Sequence, residues 1–318
     1  MGKKVLRTLL FFAGFVILFA CFNHLLAPKT NTAEAGMHDS HAKGFVAEPQ
    51  DTLDVLYLGD SEVYRAVMPL KIWEEQGITG YACGTNEQRL YQTEMFLYRA
   101  LQQQSPKLVF LETNCIYQDH STLDVIPHRL EEIFPLIRYH DRWKNMNLSD
   151  FTQPIQLDTV VRDKGYVYIN YSYPMVGFEH MIPTEDVSPI PGKNIRHVQK
   201  LQEMCREKGA ELVLFSTPST MNWSYSRHNA MVQLAEDLGV AYIDMNLLEE
   251  EIPIDWSKDT MDEGDHMNYF GAQKVSHYLG QYLAEQGLFA DKRTLPEYAA
   301  WNEALADFYG SIPEAQVS

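Results

Sequence analysis

Short apolar runs, each bounded on one side by a glycine or a proline and separated by amphipathic stretches, constrain this chain more than any other feature. Asp54-Val55-Leu56-Tyr57-Leu58 stops at Gly59, and Lys107-Leu108-Val109-Phe110-Leu111 follows Pro106. Glu211-Leu212-Val213-Leu214-Phe215 ends before Pro218, and Val240-Ala241-Tyr242-Ile243 follows Gly239. Runs that are apolar on both sides suit strands buried on both faces. Between them, helical periodicity runs from about Glu87 to Gln104, Asn194 to Lys208 and Arg227 to Leu238. A last helix, Tyr269 to Gln286, is stopped by Gly287. Strands alternating with helices predict an α/β domain with a mainly parallel sheet covered on both faces. In such sheets, chemistry gathers at the carboxyl ends of the strands.

The N-terminus sets the compartment. Lys3, Lys4 and Arg7 precede an apolar run from Leu9 to Phe22 that continues weakly to Ala27. That is about the ~20 residues a spanning helix requires, and the basic flank predicts a cytoplasmic tail with the rest outside. A cleaved signal peptide and a lipidated Cys21 are the two alternatives, and both also place the body outside the cytoplasm. The reading is a tail and transmembrane anchor over 1–27 and a polar linker over 28–50. A domain over 51–318 follows, with an insertion at about 116–191. That insertion carries Arg138-Tyr139-His140-Asp141-Arg142-Trp143 and a β-ribbon pattern, Gly165-Tyr166-Val167-Tyr168-Ile169.

A formal net charge of −17 disfavours nucleic acid and anionic membrane surfaces as main partners. The four cysteines show no metal-ligand spacing, so no zinc site is expected. Cys83 and Cys115 each follow a strand and are read as free buried thiols; a disulfide between them at one sheet edge is the alternative.

Gly59-Asp60-Ser61 directly follows the first strand, where a serine hydroxyl can point into the crevice; Asp-Ser there is also an ordinary helix N-cap. Asp262-Glu263-Gly264-Asp265-His266-Met267-Asn268 leads into the last helix. A nucleophilic serine needs a base in hydrogen-bond reach and a carboxylate to orient it. His266 supplies the base, Asp262 the acid, and Glu263 is the alternative acid. The N–H groups of Ser61 and Gly84 and the side-chain amide of Asn114 are candidates for an oxyanion hole. The aromatic residues Tyr139, Trp143, Tyr166, Tyr168, Tyr171 and Tyr173 suit sugar stacking or simple packing.

These blocks, in this order, resemble the SGNH (GDSL-like) hydrolase superfamily over roughly residues 53–285. Within it the chain looks most like the extracytoplasmic acyltransfer proteins that work beside membrane-bound O-acyltransferases. Alginate O-acetyltransferase subunits and the D-alanyl-lipoteichoic acid transfer protein are of that type. The resemblance implies a three-layer, flavodoxin-like α/β fold and an acyl-serine intermediate without cofactor or metal. It further implies transfer, of acetyl above all, to hydroxyls of a cell-envelope or exported polysaccharide, with a multi-span membrane-bound O-acyltransferase as acyl source. A carbohydrate esterase with the same residues, or a non-catalytic glycan-binding scaffold, are the competing readings. The chain departs from the family in one respect: its acid stands four residues before the histidine, whereas two or three is usual.

Overall fold

The computed structural model describes residues 2–175 and 180–312. Residues 176–179 of the expected insertion and 313–318 of the expected domain lie outside the described residues. In chain order the helices are α1 (Gly2–Leu26), α2 (Ser40–Lys43), α3 (Ser61–Ala66), α4 (Pro69–Gln76), α5 (Leu90–Ala100) and α6 (Asn114–Tyr117). They continue with α7 (Thr122–Ile133), α8 (Pro135–Arg138), α9 (Gly192–Glu207), α10 (Tyr225–Leu238), α11 (Tyr269–Glu285) and α12 (Ala299–Ser311). The strands are β1 (Val55–Gly59), β2 (Gly80–Gly84), β3 (Leu108–Glu112), β4 (Glu211–Ser216) and β5 (Ala241–Asp244).

All strand pairings are parallel, in the order β2-β1-β3-β4-β5. This is the doubly wound order of the flavodoxin-like arrangement. Successive side chains on a strand point to opposite faces, and the core divides accordingly. Leu56, Leu58, Val109, Leu111, Leu212 and Leu214 pack on one side with Leu97, Val198 and Met231 of α5, α9 and α10. Val55, Tyr57, Phe110, Val213 and Phe215 pack on the other with Val63 of α3 and Val275 and Leu279 of α11. The four cysteines are free; Cys83 and Cys115 are buried as separate thiols.

The chain forms two compact units. One comprises Met1–Ser40 with His120–Thr159; the other comprises His41–Asp119 with Val160–Ser318 and contains the sheet. The expected insertion at 116–191 is therefore divided between them. The expected linker at 28–50 is not a free tether either. Asn31 exchanges two hydrogen bonds with the Thr159 backbone inside the first unit, at 2.7 and 3.0 Å. In the second unit Ala42 and Phe45 are buried, and Phe45 lies edge-on to Tyr81 and Phe96.

The expected ribbon over Gly165–Ile169 is a single extended run without a partner strand among the described residues. Just before it, Lys164 O accepts from Ala82 N–H on the outer side of β2 at 2.9 Å, and Val167 N–H donates to Tyr64 O of α3 at 2.9 Å. Gly165 has φ +90°, and a Cβ there would stand 2.0 Å from Ala82 O; only glycine permits that approach. Beside it, Lys164 Nζ meets Glu48 Oε1 at 2.7 Å, with both side chains almost wholly buried, and sits 4.4 Å over the Trp301 ring. Removing one partner of a buried pair strands the other charge. Glu48→Ala is expected to cost about 3–5 kcal/mol of unfolding free energy, measurable by urea denaturation of the detergent-solubilised chain.

Candidate active site

The carboxyl ends of β1, β2, β3 and β4 deliver Asp60-Ser61, Gly84, Asn114 and Thr217 to one end of the sheet. Asp60 caps α3: its Oδ1 accepts from Glu62 N–H at 3.1 Å, and its Oδ2 accepts from the Asn114 amide at 2.9 Å. The cap fixes Ser61 as the first residue of the helix. Its N–H belongs to the first turn, where no intrahelical carbonyl is available to it.

His266 reaches this point from a tight turn ahead of α11. Met261 N–H donates to His266 O, and Thr220 N–H donates to Gly264 O at 2.7 Å. Asn268 closes the turn: its Oδ1 caps α11 through Phe270 and Gly271 N–H, and its amide donates to Lys258 O and Ser172 Oγ. The result is one hydrogen-bonded line. His266 Nε2 lies 2.8 Å from Ser61 Oγ, and His266 Nδ1 lies 2.7 Å from Asp262 Oδ2. Asp262 Oδ1 also accepts from His266 N–H at 2.7 Å.

Of the two acids considered from sequence, Asp262 meets the imidazole. Glu263 is exposed, has φ +60° and donates its N–H to Tyr173 O. Asp265, adjacent to the histidine, comes within 3.5 Å of Nδ1, longer than an ordinary hydrogen bond. Gly84 lies against the nucleophile turn, and a Cβ there would stand 2.6 Å from Asp60 O. Asn114 differs from expectation. Its amide already donates to Asp60, while its Oδ1 accepts from Arg227 at 3.2 Å. The capping acid next to it is a strong acceptor and engages that donor.

Residues that the sequence reading passed over complete the surroundings. Glu62 is buried; its Oε1 accepts from Asn222 at 2.9 Å and its Oε2 from Thr217 Oγ1 at 3.2 Å. Asn222 also donates to Asp265, joining the nucleophile helix to the histidine turn. Glu112, buried at the end of β3, accepts from Asn114 N–H at 2.8 Å. A glutamate directly after the serine is the one signal that sequence offers for this network, and a burial pattern is needed to recognise it.

Burial pushes the Glu62 carboxyl up to about 8, against the opposing charge of His266. Burial by itself would lower the His266 pKa. The Asp262 hydrogen bond and the charges of Glu62, Asp265 and Asp262 outweigh it and raise it to about 9. The largest of the effects that raise His266 is the Asp262 hydrogen bond. Glu112 and Asp60 are also raised by burial. Each raised carboxyl favours the protonated folded state. Its stabilising contribution is complete below the unfolded pKa and is lost as pH rises through the folded one. For Glu62 that window runs from 4.5 to about 8. Glu62→Gln should therefore flatten the fall of Tm across this window, as followed by differential scanning fluorimetry.

Glu62, Asp265 and His266 could offer ligand atoms within 4.8 Å of one another. Both imidazole nitrogens are engaged by Ser61 and Asp262, so a cation there would have to displace one of those bonds. Of the aromatic residues singled out from sequence, Tyr139 and Trp143 belong to the first unit, and Tyr166 is buried. Tyr168 packs against Tyr269 and Phe308. Tyr171 and Tyr173 are exposed, pack edge to face, and adjoin the histidine turn through their backbone carbonyls.

No protein-family model matches the chain, and no curated protein matches it in sequence. Among solved structures, a GDSL-like lipase from Bacteroides thetaiotaomicron is similar at 11% identity and a TM-score of 0.39. That match covers 77% of this chain and 99% of the other. The lipase/acylhydrolase from Enterococcus faecalis is similar at 8% identity and a TM-score of 0.38, covering 74% and 96%. The chemistry of the site rests on its own residues.

Proposed function

We propose that this chain is a serine-dependent acyl-transfer enzyme of the SGNH type. The observation that carries the reading is the Ser61–His266–Asp262 line, with contacts of 2.8 and 2.7 Å. His266 Nε2 takes the Ser61 proton as Oγ attacks an acyl carbonyl; Asp262 holds the tautomer and stabilises the imidazolium. The oxyanion draws on the Ser61 and Gly84 N–H groups, with Asn114 held beside them by Asp60 and Arg227. Collapse expels the leaving alkoxide, which takes the proton back from His266. The acyl-serine then passes to an acceptor hydroxyl, or to water, activated by the same imidazole.

The finer reading is O-acyl transfer, of acetyl in particular, to hydroxyls of an extracytoplasmic polysaccharide, with a multi-span membrane acyltransferase as acyl source. The exposed Tyr171–Tyr173 pair beside the histidine turn supports a sugar acceptor, since sugar rings stack on such faces. Helix α1 supports the location. It is long and apolar enough to cross a membrane by length and composition, with a mean hydropathy of 2.4 over its most apolar 18 residues; a signal sequence passes the same test. The packing of 134–142 against its last turns favours a retained anchor.

The test is intact-mass analysis of the full chain in detergent after exposure to 4-nitrophenyl acetate, with and without soluble oligosaccharides. A retained acetyl adduct that is absent from Ser61→Ala and moves to added sugar supports transfer. Turnover to water alone supports the esterase. Neither adduct nor turnover would overturn the acyl-serine reading.

A further inference from the structure

Helix α7 in the first unit is built inside out. Leu123, Ile126, Leu130 and Ile133 recur at spacings of three and four and so share one face of α7; Ile137 lies in α8, beyond the extended Phe134. All five are exposed, Leu123 at 75%. On the other side the Glu132 side chain is almost wholly buried and ion-paired with Arg138, which also pairs with Asp39 at 3.1 Å. A helix packed against a core and facing water would turn these two faces the other way. Nearby, Trp143, Leu148 and Phe151 are also exposed, Leu148 at 87%.

The same segment grips the end of α1. Phe134 meets Phe19 edge-on at 5.2 Å, and Leu136 N–H donates to Asn23 Oδ1 at 3.0 Å. Arg142 donates to Leu26 O and Ala27 O at 2.9 and 2.7 Å. Phe19 to Leu26 is about 10 Å of helix at 1.5 Å per residue. Residues 134–142, which follow α7 directly, thus sit beside the last two turns of a helix apolar enough to span. That is the depth of the headgroup–acyl boundary, where interfacial helices bury an apolar face by about 5–10 Å.

We infer that α7 and α8 form an interfacial platform whose apolar face lies in the outer leaflet of the membrane that α1 crosses. The charges on α7, one arginine against three carboxylates, give no attraction to anionic lipid. Apolar burial is the driving term, so zwitterionic phosphatidylcholine suffices. This inference rests on the reading of α1 as a span.

The test uses the full chain carrying Cys21→Ser, reconstituted in phosphatidylcholine vesicles, with a nitroxide attached at Ile126→Cys or Leu130→Cys. Both positions are exposed, so a label disturbs no folding contact. Power saturation against oxygen and a water-soluble nickel chelate reads the depth. The expected oxygen-to-nickel accessibility ratio is several-fold higher at 126 and 130 than at Glu211→Cys, an exposed position on the sheet unit. Equal ratios would place the face in water and overturn the platform. Labels protected from both agents would mean that a second copy covers it, which also overturns the lipid assignment. A third label at Phe15→Cys, midway along α1, reads the span separately. High nickel accessibility there would refute the span itself, and a buried 15 beside a wet 126 and 130 would refute the platform alone.

Discussion

Ser61→Ala is expected to lower turnover of 4-nitrophenyl acetate by about 10⁶-fold, the order seen when the nucleophile of a serine triad is removed. The hydroxyl has no substitute within the site. Asp60 is committed to the α3 cap and Asn114, and Glu62 is buried against Thr217 and Asn222. Fold stability should barely change, because the side chain's hydrogen bond goes to His266. Steady-state kinetics beside a thermal melt separates loss of the nucleophile from loss of the fold. A variant that retained turnover within about tenfold of the parent would end the acyl-serine mechanism.

Asp262→Asn should cut turnover by about 10⁴-fold at neutral pH, because an amide facing Nδ1 no longer fixes the productive tautomer. Its pH profile carries a second signature. In the parent chain, His266 must lose its proton before it can accept one from Ser61. With a pKa of about 9, kcat/KM should climb through neutral pH and level off only above that value. The substitution removes both the hydrogen bond and the charge, so the rising limb should move down towards 6.5, the ordinary imidazole value. A lower plateau with its limb shifted to lower pH is expected from pH–rate measurements. A lower plateau with an unmoved limb would assign the basicity of His266 to Asp265 and Glu62 instead.

The frame of this site is readable from sequence because local rules and tertiary structure agree there. The runs around Leu56, Val109, Leu212 and Ile243 are strands, and the helices stopped by Gly239 and Gly287 lie where periodicity places them. Since a parallel sheet gathers strand ends at one edge, Ser61 and His266 fall into one reading despite their separation in the chain. Spacing alone does not reveal what depends on burial. Glu62 looks like any solvated glutamate until its carboxyl is seen enclosed, and Asn222 resembles a loop residue until it links Glu62 to Asp265. Asn114 reads as an open donor because its competitor, Asp60, is distant in sequence. The apolar face of α7 falls within the expected insertion, and no periodicity distinguishes a face turned inward from one turned outward. The extended run after Gly165 reads as a ribbon because its β-branched and aromatic residues favour strands, yet it finds no partner strand among the described residues.

Asp262 and His266 are joined twice inside one turn, through a backbone N–H and a ring nitrogen. Ser61 belongs to a different element, 205 positions away in the chain. The acid and the base therefore travel as a single cartridge. Displacing the turn as a body would leave their pairing intact while parting Nε2 from Oγ, along with the Asn222–Asp265 and Thr220–Gly264 bonds that hold the turn in place. The basicity of the imidazole is largely written into the turn, while the distance from cartridge to serine is left as the single geometric variable that arms or disarms the nucleophile.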